Sequence, residues 1–188
     1  NGKYQVGAIT SGERGTNTTA ICCMSAAGMF VPTMLIFKRL HFKYELSARA
    51  PPSTQFACSE NGWITREIFV QWLKHFIETV KPSKEKKILL LLDGHTTHTK
   101  NIEAINIARE NGIIMLSLPP HTTHRLQPLD VAFFKPLSVY FNQACDTWMR
   151  EHPMKLITQF QISELLANSY GIATTVANAV NGFARTGV

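Results

Sequence analysis

Lys87-Ile-Leu-Leu-Leu-Leu-Asp93-Gly94-His95 is the stretch that decides how the chain folds. Its apolar run, Ile88 to Leu92, is bounded by a lysine on one side and an acid on the other. Such a run is too short to span a membrane and suits a strand buried on both faces. It stops at Asp93, and Gly94 lets the chain turn. A carboxylate at the carboxyl end of a central strand sits on the rim where open α/β sheets place their ligands. On this stretch alone, Asp93 serves equally well as a cap for the next element.

Downstream, Lys100 to Glu110 reads as a helix with Ile102, Ile105 and Ala108 on one face, and Asn111-Gly112 is its stop signal. Ile113 to Leu118 is a second short apolar strand. Strand, helix and strand from 88 to 118 make a parallel βαβ unit with a right-handed crossover. Pro119-Pro120 breaks it. A further helix starts near Asp130, with Val131, Phe134, Leu137, Phe141 and Trp148 in its apolar pattern and Pro136 confined to its first turns. Ile162 to Ile172 and Val176 to Ala184 read as two shorter helices, so 131–188 is expected to be largely helical.

Upstream, Thr65 is a helix N-cap and Glu67 suits the first turn. Ile68, Phe69, Trp72, Leu73, Phe76, Ile77 and Val80 then form one continuous stripe at helical period, the strongest periodic signal in the chain. That stripe predicts a core-facing helix over 66–80. Pro82 and Lys84, Lys86 and Lys87 end it in a solvated basic loop. Residues 38–62 carry no period and read as a long loop. Thr18 to Ala27 and Val31 to Phe37 read as a strand and its hairpin partner, and Tyr4 to Ile9 as a short edge strand. The strands at 18–27, 31–37, 88–92 and 113–118 are expected in one mixed sheet, with the helices at 66–80 and 100–110 packed on it.

The chain of 188 residues is long enough for one domain with a real core. Its net charge is 19 − 13 = +6, which leans towards a polyanionic partner such as nucleic acid. The cysteines, Cys22, Cys23, Cys58 and Cys145, have no CxxC spacing, so neither a zinc ribbon nor a redox motif is signalled, and a reducing compartment is the default. No secretory signal or membrane span is legible. The chain begins at Asn1 and ends at Thr186-Gly-Val, as a piece of a longer protein would.

Two acids carry the chemistry. Asp93 ends one strand, and Asp130 opens a helix after the neighbouring one, so both converge on one rim. Paired hard carboxylates suit magnesium or manganese. Two such cations about 4 Å apart stabilise the attacking and leaving oxygens of phosphoryl transfer. The plain alternative leaves Asp130 as a charge at a helix N-terminus. The tetrapeptide His-Thr-Thr-His, at 95–98 and again at 121–124, invites a zinc reading. Structural zinc sites generally recruit cysteine, and none is near. Polar contact around the carboxylates, or with substrate phosphates, suits these histidines better. Nothing marks a cysteine as one half of a Cys–His nucleophile.

Leu90-Leu-Leu-Asp93-Gly-His-Thr-Thr-His98, with Leu118-Pro-Pro-His-Thr-Thr-His-Arg-Leu-Gln-Pro-Leu-Asp130 and the following Phe134-Lys-Pro-Leu137, resembles the DDE superfamily endonuclease domain, most closely pogo-type transposases of the Tigger and jerky group. Thr-Ser-Gly-Glu-Arg-Gly at 10–15, Ala27-Gly28 with Pro32, Gly62-Trp63 and Gly-Phe-Ala-Arg-Thr-Gly at 182–187 match as well, so the resemblance covers nearly all of 1–188. It implies an α/β, ribonuclease H-like fold, a mixed sheet flanked by helices, with three acids binding Mg2+ or Mn2+ as a two-metal site. Asp93 matches the second acid and Asp130 the third. His95, His98, His121, His124, Arg125 and Gln127 would line the site, contacting nucleic acid or supporting the acids. The family's first acid lies upstream of the segment that matches Tyr4 to Ile9. Glu13, the only acid before residue 45, matches the Glu-Arg-Gly turn instead. The sheet is therefore expected to be truncated at its N-terminal strand.

The resemblance implies the catalytic core of a transposase that cleaves DNA phosphodiesters and then transfers the freed 3′-hydroxyl to target DNA. DNA is its implied partner, a homo-oligomer its implied assembly and the nucleus its implied location, with no membrane and no small-molecule cofactor. The reading from another class is a domesticated, transposon-derived nuclear DNA-binding protein without catalysis. Two retained acids do not decide between them.

Overall fold

The structure is a computed structural model that describes residues 2–13, 16–93, 100–119 and 122–188. Its strands are β1 (Gly2–Glu13), β2 (Thr16–Ser25), β3 (Phe30–Lys38), β4 (Gln55–Ser59), β5 (Ile88–Leu92) and β6 (Ile113–Ser117). They form one sheet in the order β4-β3-β2-β1-β5-β6. The β1–β2 and β2–β3 pairs are antiparallel, and β3–β4, β1–β5 and β5–β6 are parallel. The helices are α1 (Arg66–Val80), α2 (Ile102–Glu110), α3 (Thr123–Leu126), α4 (Pro128–Ala132), α5 (Phe134–Glu151), α6 (Gln159–Ala173) and α7 (Val176–Thr186).

Strand periodicity divides the core into two layers. Alternate side chains of a strand face opposite sides of a sheet. Tyr4, Val6, Ile88, Leu90 and Leu92 face α1 and α2, where they meet Phe69, Trp72, Leu73, Phe76, Ala104 and Ala108. Ala20, Cys22, Met24, Leu35, Phe37 and Leu91 face the other way, against Leu129, Phe133, Leu137, Leu166, Tyr170, Ala179 and Phe183 from α4 to α7. The result is helices, sheet, helices. A central strand covered on both faces needs the continuous apolar run that β5 has.

Local signals placed several boundaries. The Thr65 hydroxyl accepts from the Ile68 amide at 3.3 Å and opens α1 as the sequence predicts. Asn101 caps α2, its side-chain oxygen accepting from the Ala104 amide at 3.2 Å. The same side chain donates to the Arg66 carbonyl at 2.9 Å and ties the starts of α1 and α2 together. Gly112 has φ +73°, and a Cβ there would lie 2.1 Å from the Ser83 carbonyl oxygen. Only glycine fits that stop between α2 and β6.

Two expectations are corrected. Tyr4 to Ile9 is not a short edge strand. It belongs to the 12-residue β1, an interior strand between β2 and β5. Gly2 to Gln5 pair with Ile88 to Leu91 and occupy the place beside β5 that the sequence reading left without its N-terminal strand. Burial on both faces is the reason: Tyr4 and Val6 are covered on one side and Gln5 is fully covered on the other. The second correction concerns 38–62, which is not one loop. It holds a 3-10 turn at Tyr44–Ser47 and the edge strand β4, whose Gln55 to Ser59 pair with Met34 to Lys38. A five-residue edge strand carries too little alternation to announce itself.

A candidate acidic site on the sheet rim

β5 delivers Asp93 to the rim one residue beyond Leu92, and the side chain there is half-buried. Leu91 faces the α4 side of the sheet, and the strand's alternation carries Asp93 to that side too. Asp130 sits in the first turn of α4 and keeps contact with solvent. Its packed surroundings hold its pKa above the ordinary carboxylate range, and the charge of Asp93 raises it further. The two acids are thus close enough to repel. A hard divalent cation between them would relieve that repulsion and favour the doubly ionised form.

What fixes Asp130 is a residue that the sequence reading passed over. Gln5 on β1 is fully buried. Its Oε1 accepts from the Leu129 amide at 2.9 Å, and its Nε2 donates to the Val6 carbonyl at 2.6 Å. Gln127, at the N-cap of α4, makes no capping bond with its own side chain. Pro128 has no N–H to satisfy, so Leu129 holds the first amide of α4 that needs an acceptor. Gln5 supplies that acceptor from the central strand, and Asp130 is the next residue. A polar residue in an otherwise apolar segment was the available signal, but on an edge strand it reads as solvent-facing.

Replacing Gln5 by methionine keeps its bulk and strands the Leu129 amide. Stability should fall by about 1–3 kcal/mol in urea titration, the cost of a buried unsatisfied donor. The Asp130 titration, followed by carboxyl-carbon NMR, should move with it. Gln5→Glu keeps the acceptor but loses the Nε2 donor to the Val6 carbonyl and buries a carboxylate, so at neutral pH it should cost at least as much. Unchanged stability in Gln5→Met would mean that β1 does not hold α4.

The remaining residues distribute unevenly. Arg125 is exposed on α3, and His124 lies on the same short helix. Gln127 is 3% exposed, too enclosed to touch a polymer directly. His95, His98 and His121 lie outside the described residues. Among the described residues, no group of three or more His, Cys, Asp or Glu side chains is placed to hold a metal ion. β1 contributes no aspartate, and its Glu13 pairs with Thr16 at the far end of the hairpin, roughly 26 Å along the strand from Gln5. Among the described residues, the carboxylates of Asp93 and Asp130 are donors of the kind a hard cation takes. Burial pushes the Cys22 thiol up to about 12 and that of Cys23 well up too, so neither is a ready nucleophile.

Comparison with known proteins bears on the same residues. A family model described as DDE superfamily endonuclease matches residues 15–181, which include Asp93 and Asp130. Pogo transposable element with KRAB domain from Homo sapiens is 26% identical over 146 residues, covering 74% of this chain and 22% of that protein. The Mus musculus protein of the same name is 25% identical over 142 residues, with 74% and 23% covered. A protein of Cochliobolus lunatus named MFS-type transporter clz9 is 32% identical over 175 residues, 90% of this chain and 18% of its own length. The chain thus spans about a fifth of these relatives. No helix among the described residues is long and apolar enough to cross a membrane. Among solved structures, a chain in the cryo-EM structure of the simian T-cell lymphotropic virus intasome in complex with PP2A regulatory subunit B56 gamma superposes with a TM-score of 0.50 at 10% identity. It covers 87% of this chain and 46% of that one. The shared fold is ribonuclease H-like.

Proposed function

The chain belongs to the DDE superfamily endonuclease family, with relatives of pogo type, and from that premise we propose that it is the core of a nuclear, DNA-cleaving transposase. The observation that carries this reading is the pair Asp93 and Asp130, brought to one rim and coupled through their charges. Asp93 and Asp130 would hold Mg2+ or Mn2+ at the rim of the sheet. A bound divalent cation supplies charge neutralisation at the phosphate and polarises the attacking water. Gln5 and the buried Leu129 keep α4 from yielding when the acids repel. His95, His98, His121, His124, Arg125 and Gln127 would contact nucleic acid or support the acids. The net charge of +6 draws the DNA backbone in. Hydrolysis would free a 3′-hydroxyl, which would then attack a phosphodiester of target DNA and displace that strand's own 3′-oxygen, in a homo-oligomeric assembly.

Two carboxylates hold a single hard cation weakly, with water filling its other positions. Titration of the 188-residue chain with Mn2+, read by calorimetry, should accordingly give one weak equivalent that either Asp93→Asn or Asp130→Asn removes. Wild-type affinity in both variants would end the assignment. With plasmid DNA and Mn2+, the chain should bind in a strongly salt-dependent way and leave the plasmid uncut, because a two-cation site needs a further acid. Cleavage that Asp93→Asn lacks would mean that these two acids suffice.

A further inference from the structure

Beyond the acids, the segment that follows β3 has an unusual composition. Arg39-Leu-His-Phe-Lys-Tyr44 alternates basic and apolar side chains without a break. Leu40 is 74% exposed, Phe42 43% and Tyr44 85%. A row of large apolar side chains held in water marks a contact surface when the backbone beneath it is fixed. Here it is fixed at both ends. The Arg39 amide donates to the Ser59 carbonyl at 3.0 Å, and the Arg39 guanidinium lies 5.5 Å from the centre of the Phe160 ring. The Phe42 ring leans on Phe56 at 5.3 Å. Ser47 Oγ donates to the Tyr44 carbonyl at 2.6 Å, Leu46 is fully buried, and the Ser163 hydroxyl donates to the Leu46 carbonyl. The side chains of Leu40 and Tyr44 stand out from an anchored chain.

Topology sends this segment off the sheet in the same direction as the acids, but farther out. β3 runs antiparallel to β2, β2 antiparallel to β1, and β1 parallel to β5, so the carboxyl ends of β3 and β5 point the same way. β3 runs on past β5: Phe37 is level with Ser11 through Thr18, whereas Leu91 is level with Gln5. Three strand spacings across the sheet and about six residues along it separate the two ends, roughly 24 Å. Leu46 packs in the same core layer as Leu91 and Leu129, so the segment also shares the acids' face of the sheet. We propose that Arg39 to Tyr44 is a platform for unpaired DNA that extends away from the phosphodiester presented to Asp93 and Asp130: Tyr44 and Phe42 stack on bases, while Arg39, His41 and Lys43 follow the phosphates. This deepens the DNA-cleaving reading and rests on it. The chemistry favours nucleic acid over an apolar protein partner, because every second side chain is basic, whereas the core of a protein interface is depleted of charge. The spacing of roughly 24 Å is about seven duplex steps, within reach of an unpaired flank of several nucleotides.

The test measures binding of the 188-residue chain to a fluorescent blunt duplex and to the same duplex with a five-nucleotide single-stranded overhang. Tyr44→Ala should weaken overhang binding about five- to hundredfold, the range for loss of one base–aromatic stack, and leave the blunt duplex within about twofold. Tyr44→Trp should restore it. Lys43→Gln should weaken both and lower the salt slope by roughly 0.7–0.9. Equal affinity of Tyr44→Ala and wild type for the overhang overturns the platform and leaves the acids' assignment standing, since that rests on Mn2+ binding. Failure of wild type to bind either DNA overturns the platform together with the DNA-cleaving reading it rests on. A change in sedimentation without a change in DNA binding would make the segment a contact between copies, and the platform would be wrong.

Discussion

Asp93→Asn in the full-length protein is expected to reduce Mn2+-dependent DNA cleavage at least about a hundredfold, the scale on which single charge-stabilising groups count in catalysis. The amide is isosteric with the carboxylate, so circular dichroism and the urea midpoint should report an intact fold. The same substitution has a second, independent signature in the cation-free protein. Folding raises the pKa of Asp130 above its ordinary 3.8, through burial first and the Asp93 charge second. The folded chain then keeps that proton to a higher pH than the unfolded chain does. The stability it brings is complete below 3.8 and is lost as pH rises through the folded value. Asp93→Asn removes the repulsive charge, lowers the folded value and should flatten that loss. Urea titrations in chelator across this range check it. A full-length Asp93→Asn protein that cleaves at the wild-type rate, or an unchanged pH slope, would separate Asp93 from the site.

Gly182→Val is expected to cost about 1–3 kcal/mol or more, the usual range for overfilling a packed contact. A Cβ at Gly182 would lie 2.8 Å from Met24 Cε, 2.8 Å from the Pro128 carbonyl oxygen and 3.3 Å from Ala132 Cβ. The methionine end can swing away. The Pro128 carbonyl cannot move without α4, which carries Asp130 two residues later. So α7 rests on α4 through a residue with no side chain, and the substitution should degrade stability and Mn2+ affinity together. Gly171, on the exposed side of α6, is the control, since nothing lies within 4 Å of a Cβ there. Gly171→Ala should gain about 0.5–1 kcal/mol through helix propensity alone. Urea denaturation of both variants gives the comparison. Equal effects at the two glycines would refute the α4–α7 contact.

The sequence alone determined what short-range pattern encodes. The apolar run gave β5 at Ile88–Leu92, and the helical stripe with its Thr65 cap gave α1 at Arg66–Val80. Asn111-Gly112 placed the turn into β6, and the acid at a strand's end singled out Asp93. Each rests on neighbours a few residues apart, where periodicity, capping and turn chemistry act directly. Tertiary structure alone decided that β1 is interior, that 38–62 contains β4, and that Gln5 anchors α4 across 124 positions of chain. It also decided that the Arg39–Tyr44 segment leaves the sheet in the acids' direction but farther along the strands. The physical reason is the same for all four. Strand order and the burial of a lone polar group depend on which distant segments supply the hydrogen bonds and cover the faces, and no local period records that choice.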